Sequence, residues 1–156
     1  YFPLIMYQNG YGKEAYQYIL HLTDTGTKRR EYPEVSFGVV KAIAEGTMGL
    51  QPDARFNTIQ TLYRHKPATE STISDLPVLG TSITVTHKGN GTTLLTNKGN
   101  KNITWKAAFY GKIPQLYNDK NMQTPTQQIL PDGKTVSYIK LTVKPGNTAI
   151  VSVKRG

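Results

Sequence analysis

At 156 residues, with 37% hydrophobic side chains, the chain has room for one ordinary domain, or for a helical piece joined to a small domain. It has no cysteine, which excludes disulfides and thiolate metal sites, and no apolar run approaches the ~18 residues of a membrane-spanning helix. The net charge of +9 is unevenly placed: residues 1–56 carry six basic and six acidic groups, whereas residues 57–156 hold the other 13 basic and 4 acidic ones, a break that marks two modules.

The first module, 1–56, reads as helical. Phe2 to Gln8 forms a turn or two of helix, closed by Asn9-Gly10 as a left-handed stop. The pattern resumes after Tyr11-Gly12, where Ala15, Tyr18, Ile19 and Leu22 share one helix face. Asp24 to Thr27 ends that helix, and Ser36 is the expected N-cap of the next. This last helix carries Phe37, Val39, Val40, Ala42, Ile43, Ala44 and Met48, so it is apolar nearly all round, with only Lys41 and Glu45 as a charged stripe. Such a helix must be buried on most faces, more than two or three short helices can cover. Either helical neighbours beyond this sequence or the following β module must supply the cover. Gly49 and Pro52 end the helix.

The second module, 57–156, reads as an antiparallel β-sandwich. Asn57 to Tyr63 is a strand, and His65 to Pro77 is expected to be a linking loop. Beyond Gly80 the alternations Ile83/Val85, Ile103/Trp105/Ala107/Phe109, Ile139/Leu141/Val143 and Ala149/Val151/Val153 mark strands covered on one side. Gly/Asn-rich turns at 87–91, 97–102 and 144–147 join them, and the Gln/Asn/Pro-rich stretch 112–131 is expected to be a long loop. Trp105 alternates with core residues and belongs to packing rather than to a ligand site.

Between the second and third helices runs Arg29-Arg30-Glu31-Tyr32-Pro33-Glu34-Val35-Ser36-Phe37, a connector with two carboxylates and a tyrosine. After the buried-type helix comes Gly49-Leu50-Gln51-Pro52-Asp53, then a strand and a β-rich tail. This order resembles the last helix hairpin of the six-hairpin (α/α toroid) glycosidases, whose final connector carries a glutamate and whose last helix leaves through a Gly-x-x-Pro-Asp-type exit into a β domain. The motifs cover roughly residues 1–65, and the remainder agrees by β architecture. The resemblance implies an α+β chain, the C-terminal fragment of a glycoside hydrolase, inactive alone, whose β domain buttresses the toroid. It implies carbohydrate as substrate of the full-length protein, missing N-terminal toroid helices as partners with helical hairpins preceding Tyr1, and a periplasmic or extracellular location. Glu34 and Glu31 are the candidate catalytic carboxylates and Tyr32 the candidate sugar-binding aromatic. Glu34 lies nearer the helix start and is favoured, whereas Glu31-Tyr32 better matches the family's carboxylate–aromatic pair. Glycoside cleavage needs two carboxylates on opposite sides of a sugar, so at most one of these neighbours serves and its partner comes from elsewhere.

Each glutamate also has a plain structural reading. An acid at a helix N-terminus complements the dipole, and Glu31 beside Arg29 and Arg30 forms a surface ion pair. A rival class is a non-catalytic carbohydrate-binding or structural interaction module, for which the outward-phased Tyr110 and Tyr138 would form an aromatic platform. The lysines of the β half read as a solvated coat that discourages edge pairing, so no nucleic-acid partner is expected, and without a long apolar run no membrane partner is expected either. His21, His65 and His87 lack metal-ligand spacing, so no metal and no cofactor is expected.

Overall fold

The computed structural model describes residues 2–26, 33–65 and 68–155, with the backbone alone for residues 33–35. It is a β-rich α+β fold. Three short helices, α1 (Phe2–Gln8), α2 (Gly12–Thr23) and α3 (Pro33–Lys41), lead into a π-helical turn, Ala42–Thr47. Helix α3 begins at Pro33 rather than after a Ser36 cap. A proline whose N–H is unneeded suits the first helical position, which leaves Ser36 exposed inside the helix. Lys41 and Glu45 meet at 3.7 Å, one helical turn apart, as their spacing predicts.

Among the described residues eleven strands then form two sheets. The first has the order β1 (Gln51–Asp53), β2 (Thr58–Leu62), β6 (Ile103–Tyr110), β10 (Thr135–Val143), β9 (Thr126–Ile129). The second has the order β3 (Glu70–Val78), β4 (Thr81–Lys88), β5 (Thr92–Asn97), β11 (Thr148–Ser152), β7 (Leu116–Asn118), β8 (Asn121–Gln123). The alternating residues face one another between the sheets: Ile83, Val85, Leu95, Ile103, Trp105, Ala107, Phe109, Ile139, Val143 and Val151 form one core. The indole Nε1 of fully buried Trp105 donates to the hydroxyl of Thr61 at 2.9 Å, so its one polar atom is satisfied.

Three expectations change. The sheets are not wholly antiparallel, because β2 lies parallel to β6, with Ile59 opposite Trp105 and Thr61 opposite Ala107. A parallel pair needs a crossover, and here β3–β5 of the opposite sheet provide it. The stretch expected as a linking loop contains β3, a long edge strand whose Pro77 and polar residues suit an edge; its pairing with β4 shifts between Ile73 and Leu76, around the positive-φ Asp75. The stretch expected as a loop at 112–131 contains β7, β8 and β9, whose three or four residues each are too few to show alternation, although Leu116 of β7 enters the core between the sheets.

The helices meet the sheets at one seam. The exit 47–50 runs beside the end of β2, with Leu62 N–H donating to Gly49 O at 3.2 Å and Arg64 N–H to Thr47 O at 2.9 Å. Gly49 has φ +62°, and a Cβ there would strike the Leu62 backbone. Both the conformation and the close approach require glycine. Gly49→Ala is therefore expected to destabilise the protein by about 3 kcal/mol or more. A urea unfolding midpoint within error of wild type would remove the seam as a structural requirement.

Candidate functional site

A cleft of about 520 Å³ opens where the helices meet the sheets. Its lining includes Tyr7 of α1, Gly12 at the start of α2, Tyr63, Arg64 and His65 beyond β2, and Tyr110, Gly111 and Lys112 at the end of β6. The volume lies within the range of small-molecule sites.

The floor is rigid. The ring of Tyr7, 1% exposed, packs on Gly46 of the π-helical turn, where a Cβ would collide with it. The Thr47 hydroxyl donates to the Tyr7 oxygen at 2.8 Å, and burial raises the phenol's pKa against the opposing effect of that bond. Arg64 closes the turn, with Nη1 donating to Glu45 O at 3.1 Å and Gly46 O at 3.3 Å, a cation placed on helix-end carbonyls. Tyr63 stacks on His87, ring centroids 4.6 Å apart, and donates through its hydroxyl to Thr69 O at 3.0 Å. Its hydroxyl also lies 2.7 Å from Ser71 Oγ, and burial again raises its pKa. His65 packs on Tyr16 of α2 at 4.3 Å. On the opposite wall Ser137 fixes the turn after β6: its hydroxyl donates to Gly111 O at 2.8 Å and accepts from Ile113 N–H at 2.9 Å.

His87 lies beneath this floor, fully buried. Its Nε2 is 3.0 Å from the Met48 carbonyl, which only accepts, so Nε2 carries the proton; Nδ1 then accepts from the Thr93 hydroxyl at 2.8 Å. That is a neutral imidazole. Burial pushes its pKa down to about 4, with the Met48 bond working the other way.

Glu31 and Tyr32 lie outside the described residues. Glu34 belongs by its backbone to the first turn of α3, and its side chain is likewise outside the description. The described lining contains no carboxylate, and among the described residues no group of three potential metal ligands occurs. Tyr110 and Tyr138 are both half-buried around a small cluster, Leu62, Ala108 and Val136, on the outer face of the first sheet. Lys106 Nζ sits over the Tyr138 ring at 4.1 Å and bonds Gln128 at 2.8 Å, so that ring is covered, whereas Tyr110 lines the cleft with Lys134 Nζ 5.8 Å from its ring centroid. The sequence reading missed Tyr63, Arg64 and His65 as a site; three bulky polar or aromatic residues directly after a strand were the available signal. No protein-family model matches the chain, and no curated protein or solved structure does either.

The His87 pKa has a consequence for stability. A pKa held below the unfolded value means that the unfolded chain binds more protons between about pH 4 and 6.5. The stabilisation is therefore complete above pH 6.5 and is lost as the pH falls toward about 4. The loss attributable to this residue is about 3 kcal/mol. Imidazole NMR should show His87 neutral at pH 5; a ring that is largely protonated there contradicts the assignment.

Proposed function

We propose that this chain is the closing part of a glycoside hydrolase: the helices before Met48 complete an α/α toroid supplied by further helices of the same protein, and the two-sheet module buttresses that ring. The observation that carries this reading is the wet apolar face of the helices. Phe37 is 72% exposed, Val40 61%, Phe2 57% and Ile5 51%, and Tyr18, Leu20 and Ile43 join them, whereas the far larger β module exposes only Phe56, Met122, Ile129 and Ile150 among its described large apolar side chains. Covering one such side chain is worth about 1.5–3 kcal/mol, so a face of this size calls for packing partners. The buried-type helix keeps only Val39 and Ala42 in the helical cluster, while Met48 and Leu50 enter the core between the sheets. Further helices of a toroid fit the rest.

In this reading the connector before α3 lies at the mouth of the ring, where Glu34 or Glu31 serves as acid or base and Tyr32 lies against the sugar. The second carboxylate comes from elsewhere in the ring, so the chain alone does not hydrolyse. A periplasmic or extracellular location accompanies the resemblance.

Two measurements test this. In the full-length protein, Glu34→Gln or Glu31→Gln is expected to lower kcat on its glycoside by about 10²- to 10⁴-fold; near-wild-type hydrolysis by both variants overturns the catalytic assignment. Phe37→Ser should destabilise the full-length protein by about 2 kcal/mol and this chain alone by much less. Equal effects in both would mean that no partner helix covers Phe37.

A further inference from the structure

We propose that the cleft between the helices and the sheets binds a sugar unit carrying an anionic group, a carboxylate or a sulfate ester. The proposal does not rest on the hydrolase reading and would hold for a chain that cuts nothing.

Arg64, Lys112 and Lys134 all line the cleft, and no described lining residue is acidic. Part of this charge is already used. Lys134 pairs with Asp132 at 3.4 Å, and Arg64 is anchored by the carbonyls of Glu45 and Gly46. Lys112 is exposed and makes no ion pair among the described residues, so it carries the least compensated charge at the rim. Asp132 offsets Lys134 beside Gly10, so the excess positive charge at the cleft is that of Lys112 and Arg64; such an excess concentrates anions and favours a carboxylate or sulfate over a hydroxyl. The other requirement of a sugar site is a ring-shaped wall. Tyr110 supplies part of it beside Lys112, with Lys134 Nζ 5.8 Å from its ring centroid, and the Ser137 bonds hold the turn that follows in place. The cleft volume of about 520 Å³ suits one or two sugar units rather than a long chain.

The test is calorimetric titration of the protein with glucuronate, glucose 6-sulfate, glucose and inorganic sulfate. One or both charged sugars should bind at least about tenfold more tightly than glucose and than inorganic sulfate. Which of the two binds identifies the anionic group. Lys112→Gln and Tyr110→Ala should each weaken that binding about tenfold, with unchanged circular dichroism for Lys112→Gln. Amide NMR shifts on adding the charged sugar should fall on Gly10, Gly12 and Gly111. Several results overturn the proposal: no binding of either charged sugar, equal binding of glucose, equal binding of sulfate alone, wild-type affinity in Lys112→Gln, or shifts confined to other surfaces. None of them bears on hydrolysis by the full-length protein, which is read from the connector glutamates instead.

Discussion

The structure depends on the contact between the helix exit and the end of β2. Backbone meets backbone there at a distance that only Gly49 permits, and two side chains then lock the two parts together. Arg64 reaches back to the carbonyls of the π-helical turn, whose Gly46 packs under Tyr7 of α1, and His87 of β4 reaches across to the Met48 carbonyl. Each of these fills a polar or steric requirement that the others leave open. No buried side-chain nitrogen or oxygen lacks a partner among the described residues, which is how a seam carrying several polar groups remains stable.

Because the seam holds the helices by one end, it leaves their opposite faces wet. The helices and the sheets keep separate cores: Leu4, Tyr7, Ala15, Ile19, Val39 and Ala42 within the helices, and the larger one between the sheets. The π-helical turn suits this division. Its i→i+5 bond, Met48 N–H to Ile43 O at 2.9 Å, shifts the phase of the side chains, so that Val40 and Ile43 stay outside while Met48 and Leu50 pass into the sheet core. The same junction makes the cleft, since its floor is the seam and its walls are the two parts it joins.

Much of this architecture was legible. The 2.0-residue alternation placed Ile103, Trp105, Ala107 and Phe109 in the core, and the first two helices and their stops follow from Ala15, Ile19 and Asn9-Gly10. What escaped was non-local. Nothing near β2 announces a parallel neighbour, the edge strands β3, β8 and β9 are largely polar because one side of each lacks a partner strand, and β7, paired on both sides, is only three residues long. The sequence places His87 in the turn 87–91, whereas it lies buried near the end of β4, because its partners, Met48 and Thr93, lie in other elements. The cleft escaped for the same reason, since its lining is drawn from five separate stretches of chain. The connector glutamates were legible only as candidates by resemblance.

The parallel pairing of β2 with β6 also sets an order of events during synthesis. Ile59 emerges from the ribosome long before its ladder partner Trp105, and Val143 and Val151 of the same core come later still. The helices form from near neighbours in sequence, so they are ready while Met48 and Leu50 still wait for the strands that enclose them. A nascent chain stopped before β10 would thus present greasy side chains at both ends of its last helix, a state in which a chaperone has more to hold than in the finished protein.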